Sequence, residues 1–345
     1  MKKSNCFSFT DHNYKEKSNY LCIYKANRLL YNREKGADNM TTEQYIKNLG
    51  VPKGRIDVVL DTDAYNEIDD QFAIAYMLKS EQKFAVKGIC AAPFLNGKST
   101  SAKDGMNKSY DEIQKLLGLL GREDMKKLVH RGSESYLADE RTPVESAAAS
   151  FMARLADEYS PERPLYIVAI GAITNVASAI LKNPRMKENC VVVWLGGSAT
   201  HMPYAASEFN MMQDIAGARV IFGCGVPLVQ LPCGGVVDRF VTSRYELEHW
   251  LSGKNPLCDY LARNTIKEAE SYAHGKPWTR VIWDVTAVAW LLDENGKFMS
   301  DKLIHSPIPE YDRQYAYDET RHLIRYVYWI NRDALMEDLF RVLGE

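Results

Sequence analysis

The strand-forming run at residues 56–60 ends directly in Asp61-Thr62-Asp63, and over the next seven residues the chain adds Glu67, Asp69 and Asp70. No fold can bury five carboxylates from ten residues by packing them against carbon. A buried carboxylate needs a hydrogen-bonding partner, a counter-charge or a metal. These acids therefore have to stand where a strand opens onto a ligand. Asp61 and Asp63 are two apart and can share one side as the strand ends. Asp69 and Asp70 fall at the start of an apolar stretch over 71–78 that reads as helix, where free N–H groups and the helix dipole favour negative charge. Holding Asp61, Asp63 and Asp70 together against their mutual repulsion calls for a cation. The all-oxygen donor set suits Ca²⁺ or Mg²⁺ and argues against zinc or copper, since no histidine or cysteine joins it.

Past residue 56 the hydrophobic period alternates. Residues 84–91, 165–170, 191–195 and 228–231 read as further strands. Helical patterns cover 103–120, 144–159 (opened by a Thr142/Glu145 capping box), the stretch from Thr174, and 219–222. Others follow at 244–251, 257–272, 285–292 and 319–343, and a short one lies at 41–49. Strands alternating with helices predict the α/β class, with an open, mainly parallel Rossmann-like sheet and helices on both faces. In such a sheet the ligand sits beyond the carboxyl ends of the strands. Residues 1–54 read as an N-terminal extension and 55–345 as one catalytic domain.

The formal net charge of −2 gives no basic excess, so no nucleic-acid partner is expected. No apolar stretch approaches the roughly 20 residues that span a bilayer, so no membrane partner is expected either. The basic start MKKSNCF leads into no apolar core, which argues against a signal peptide. Seven scattered cysteines without a CxxC pair fit a reducing compartment, hence a cytoplasmic location.

Four blocks along the chain carry a family likeness. Val58-Val-Leu-Asp61-Thr-Asp63 with Asp69-Asp70 resembles the amino-terminal signature of the inosine–uridine-preferring nucleoside hydrolases. Ile167-Val-Ala-Ile170-Gly171-Ala-Ile-Thr174-Asn175 is similar to that family's Thr-Gly-Pro-Leu-Thr-Asn turn. Trp194-Leu195-Gly196-Gly197, followed by Ala206-Ser-Glu208-Phe209-Asn210 and Asp214, resembles its Met-Gly-Gly and Ala-Glu-Phe-Asn elements. Ile282-Trp283-Asp284 stands where the family has a late His-Asp pair. The resemblance implies calcium-dependent hydrolysis of the N-glycosidic bond of a ribonucleoside or related N-ribosyl compound. It implies Ca²⁺ held by Asp63, Asp70, the main-chain carbonyl of Ile170 and Asp284, with Asp61 as the water-activating base. It further implies sugar contacts from Asp69, Glu208, Asn210 and Leu195, and a homodimer or homotetramer.

Three departures mark the chain as divergent. Asp69 and Asp70 fall six and seven residues after Asp63 rather than four and five, so Asn66 or Glu67 can face the site. The family's ribose-binding Asn after the second strand is replaced by Gly88-Ile-Cys-Ala-Ala-Pro93-Phe94-Leu-Asn96, in which Asn96 is one residue out of register. The late histidine becomes Trp283, which can stack on a ring but cannot donate a catalytic proton. His201, or the group Tyr311, Arg313 and His322, could serve on the base side instead. A phosphatase of the Asp-x-Asp kind would use Asp61 as nucleophile and Asp63 as acid, but its further lysine and acidic pair are hard to place. The remaining alternative is a catalytically silent protein of the same fold that binds calcium and a ribosyl ligand.

Overall fold

The computed structural model describes residues 40–345. Among them, strands β1 (Ile56–Thr62), β2 (Phe84–Ala91), β3 (Val129–Arg131), β4 (Leu165–Ala169), β5 (Cys190–Leu195) and β6 (Leu228–Leu231) come first. They are followed by β7 (Val241–Thr242), β8 (Arg280–Val281), β9 (Met299–His305), β10 (Ile308–Pro309), β11 (Tyr315–Ala316) and β12 (Leu323–Ile330). Eight of these form one sheet in the order β3-β2-β1-β4-β5-β6-β12-β9. Every neighbouring pair in it is parallel except β12 with the edge strand β9. Two-residue antiparallel ribbons, β7–β8 and β10–β11, lie outside it.

The apolar runs become strands because both of their faces are covered. Along β1, Val58 and Leu60 enter one core while Val59 enters the other. Along β5, Val191, Val193 and Leu195 face the first core, and Cys190, Val192 and Trp194 the second. This period of two produces near-continuous hydrophobic sequence because neither face meets water. The helices Asp70–Lys79, Val285–Leu292 and Arg332–Gly344 bury residues in the first core, and Ala147–Leu155, Thr174–Lys182 and Ile215–Gly223 in the second.

Two sequence expectations are corrected. Residues 319–343 are not one helix: β12 occupies Leu323–Ile330 and the helix begins at Arg332. The run Ile-Arg-Tyr-Val-Tyr-Trp-Ile is rich in β-branched and aromatic residues, and a slot between β6 and β9 accepts it as a strand. The helix expected at 144–159 starts at Ala147, capped by Ser146, whose side chain accepts the Ala149 N–H. Thr142 does not form the capping box, because Asp139 accepts its N–H and its hydroxyl in a local turn. At the amino-terminal side, the helix Thr42–Asn48 packs Tyr45 and Leu49 against Leu323, and the Tyr45 hydroxyl donates to the Leu323 carbonyl.

Candidate active site

The strand order reverses across β1, which has β2 on one side and β4 on the other, so the sheet splays open at the carboxyl ends of β1 and β4. Asp61 lies at this point and is fully buried. Its Oδ1 accepts a 2.8 Å hydrogen bond from Asn175 Nδ2, and its Oδ2 has no partner among the described residues. Asn175 also donates to the Ala91 carbonyl, and its Oδ1 accepts both the N–H and the hydroxyl of Ser133. The amide is thereby held in one orientation, since both groups on its nitrogen side are acceptors. Burial pushes the Asp61 carboxyl up to about 7, against the smaller opposing effect of Asn175.

Asp69, Asp70 and Asp284 each offer a carboxylate oxygen within 4.8 Å of the others, and all three are buried. Asp70 and Asp284 open the helices Asp70–Lys79 and Val285–Leu292, which brings two helix starts, about 210 residues apart in sequence, to one point. Thr62, between the first two acids, donates its hydroxyl to Asp70 Oδ1 at 2.5 Å. Asp63 feels the charges of Asp70 and Asp69, but it leans toward β4: its Oδ1 lies 2.8 Å from the position a Cβ would take on Gly171. Burial, reinforced by the neighbouring acids, raises the carboxyls of Asp63, Asp69 and Asp284 well above the usual carboxylate range, and burial takes Asp70 to about 7. One oxygen of Asp63 and one of Asp69 are buried without a partner among the described residues. Crowded, oxygen-only and partly unsatisfied, this donor set fits a hard divalent cation.

A cavity of about 210 Å³ opens onto these acids. Ile170 and Leu195, at the ends of β4 and β5, form part of its wall, as do Glu208 and Asn210. Asn210 donates its side-chain amide to the carbonyls of Ile170 and Leu195, bridging the two strand ends. Glu208 caps the helix Phe209–Gln213 and accepts the N–H groups of Gly197, Asn210 and Met211. Burial raises its carboxyl, and those backbone bonds oppose the rise.

The longer acidic loop puts both Asn66 and Glu67 on the cavity wall. Asn96 is not among the lining residues; its amide donates to Asn66 Oδ1 at 2.6 Å, so it anchors the loop. Glu67 is ion-paired with Arg280, which also stands 3.6 Å from Glu268. Trp283 lines the cavity directly before Asp284. His201 does not: it is exposed in the loop after Gly196-Gly197, beside Gly235. That loop is tied down by Tyr326, whose hydroxyl accepts the Thr200 N–H, and by Tyr317, whose hydroxyl donates to the Thr200 carbonyl. Tyr311, Arg313 and His322 also lie off the cavity; Tyr311 bonds Glu140, and Arg313 occupies a turn at φ 70°.

Sequence reasoning passed over Asn175, Phe209, Cys233 and Arg280. Asn175 and Phe209 were legible as members of the Thr-Asn and Glu-Phe-Asn blocks. Cys233 and Arg280 carry no local signal, because the crossovers of the sheet alone bring them near Glu208 and Glu67.

The family model described as inosine-uridine preferring nucleoside hydrolase matches residues 58–321. The pyrimidine-specific ribonucleoside hydrolase RihA of Enterobacter sp. (strain 638) is 25% identical over 263 residues, covering 68% of this chain and 78% of the relative. Among solved structures, the plant nucleoside hydrolase PpNRh1 superposes with a TM-score of 0.67 at 20% identity, covering 84% of this chain and 99% of that one. A purine-preferring ribonucleoside hydrolase from Gardnerella vaginalis gives 0.63 at 18% identity, covering 84% and 98%. At these identities the two structures establish the shared fold.

Proposed function

The chain belongs to the inosine-uridine preferring nucleoside hydrolase family, and from that premise we propose that it hydrolyses the N-glycosidic bond of a β-N-riboside, with Ca²⁺ as its cofactor. The observation that carries this reading is the Asp69/Asp70/Asp284 cluster, which with Asp63 lines a sugar-sized cavity; the buried, half-satisfied Asp61, two residues before Asp63, is not itself among the lining residues.

Cleavage of an N-riboside passes through an oxocarbenium-like state, so it needs a water under C1′, a base for that water, and groups that fix the sugar. Asp61 is the base: the free Oδ2 takes the proton, while Asn175 holds the other oxygen and fixes the carboxylate plane. Asp69, Glu208 and Asn210 grip the ribose hydroxyls, and Leu195 packs against the sugar. Asp63, Asp70, Asp284 and the Ile170 carbonyl would hold the cation. When bound, Ca²⁺ would orient the sugar hydroxyls and the water and lower the water's pKa. Asn66, steadied by Asn96, adds an amide to the sugar side, and Trp283 offers a face for the base.

Trp283, standing where a proton donor would assist departure, favours a second reading, in which the same fold binds a ribosyl ligand without turnover. Ribose release from a panel of nucleosides, with calcium and with chelator, separates the two. The enzyme reading expects calcium-dependent release of ribose and base. Thermal protection by a riboside with no release of either product would sink it.

A further inference from the structure

The acidic loop carries three residues of the cavity wall, Asn66, Glu67 and Asp69, on very little backbone structure. Of the N–H groups of residues 64–69, only that of Asn66 reaches a backbone acceptor among the described residues, the Asp63 carbonyl at 2.7 Å. Side chains hold the rest of the loop, as they must where no ladder does. Gln71 donates to the carbonyls of Ala64 and Glu67, and Asn96 donates to Asn66 Oδ1. The remaining anchor is Arg280 on β8, ion-paired with Glu67.

Arg280 belongs to a closed circuit of polar contacts. Its guanidinium stands 3.6 Å from Glu268, in the helix Pro256–Ala273, and Glu268 pairs with Lys98 at 2.8 Å. The Lys98 N–H donates to Asn96 Oδ1 at 2.8 Å, and Asn96 returns to Asn66, the neighbour of Glu67. The acidic loop is thus gripped at two adjacent residues, from β8 on one side and from the loop after β2 on the other. Arg280 is largely buried, and its Nε–H has no acceptor among the described residues. Burying a guanidinium with a spare donor costs free energy, a cost met where a cation fixes something else in place.

We propose that Arg280 is a positioning residue of the riboside site: by clamping Glu67 it sets the loop so that Asn66 and Asp69 meet the sugar. The proposal rests on the riboside reading of the cavity and deepens it. Arg280 does not line the cavity, so it acts only through residues that do. With the clamp in place the loop is ordered before the sugar arrives; without it, binding has to order the loop, and affinity falls. Asp70 and Asp284 stand on helix starts rather than in the loop, so the cation should scarcely register the change.

The test uses the full chain with Ca²⁺ and measures D-ribose binding by calorimetry and uridine cleavage by ribose release. Arg280→Met should raise the ribose Kd and the uridine KM at least tenfold, with kcat and calcium affinity each within threefold of the parent. Glu67→Gln, which removes the ion pair without burying a new charge, should do the same to a smaller extent. Adding it to Arg280→Met should cost nothing further, because both act through one contact. Arg280→Lys should recover part of the affinity, since an ammonium can pair with Glu67 but lacks the planar fork. Unchanged ribose affinity in Glu67→Gln and Arg280→Met overturns the proposal, as does calcium affinity falling in step with that for ribose. Ribose binding needs no turnover, so it decides the role of Arg280 even where uridine is not cleaved. A parent protein that binds no ribose overturns both this proposal and the riboside reading.

Discussion

At the scale of single residues, the proposed chemistry rests on one oxygen. Asp61 Oδ2 is buried with no partner among the described residues, while Oδ1 is held by Asn175, so one carboxylate oxygen is fixed and the other left open. Replacing Asp61 by Asn keeps the shape and removes the base; kcat should fall by about 10²–10⁴, the usual worth of a positioned base. Calorimetry should show calcium affinity little changed, because Asp61 lies outside the Asp69/Asp70/Asp284 trio. Asn175→Leu strips the Asp61 partner and leaves the buried Ser133 N–H unpaired. It should cost roughly 1–3 kcal/mol in urea unfolding. It should also depress kcat more than KM, since Asn175 holds the base and touches no sugar-binding group. The acids were legible in the sequence because five carboxylates in ten residues after a buried strand admit few explanations. Arg280 was not: its partner Glu67 lies 213 residues earlier in the acidic loop, and Glu268 stands in the helix Pro256–Ala273.

At the scale of elements, the turn that ends β5 supports the proposed sugar side. Gly197 adopts φ +72°, and a Cβ there would lie 2.0 Å from the Tyr315 hydroxyl, which also accepts from Gln230. Gly197→Ala should therefore destabilise by about 1–3 kcal/mol from left-handed backbone strain alone, with the contact adding to it. A cycle with Tyr315→Phe checks the cause: the loss on introducing Ala should shrink once the hydroxyl is gone, and equal losses in both backgrounds would assign the whole effect to the backbone. Because Gly197 N–H donates to Glu208, KM for the riboside should rise in the same variant. Strands β1, β2, β4, β5 and β6 could be read from the sequence, since a strand covered on both faces is a continuous apolar run. The last strand could not. Leu323–Ile330 has exposed aromatics and lies inside a stretch whose pattern reads as helix, so only its neighbours β6 and β9 decide its state. Asn96 illustrates the same limit at the site: its spacing marked it as a poor sugar ligand, but its bond to Asn66 comes from a loop 30 residues away.

At the scale of the whole molecule, the buried acids would couple a bound cation to stability. Burial raises Asp61 and Asp70 from 3.8 to about 7, and it raises the neighbouring Asp63, Asp69 and Asp284 in the same direction. A carboxyl raised by folding binds its proton more tightly in the native state, so its contribution is fully present below pH 4 and is lost as pH rises toward 7. A bound cation removes that penalty by pairing the ionised forms. The thermal midpoint of calcium-loaded protein should therefore exceed that of chelator-treated protein by a margin that widens from pH 4.5 to 7.5. A margin independent of pH would separate the metal from these carboxyls. The order of the sheet has a consequence for biosynthesis. β12 is the strand that joins β6 to β9, so as the chain emerges from the ribosome six parallel strands can assemble while β6 still presents an open edge and β9 has nothing to pair with. Closure waits for residue 330, and a message cut short before that codon would yield a nascent protein with its acid cluster encoded but a sticky seam beside it, a substrate for chaperones and proteases rather than for nucleoside chemistry.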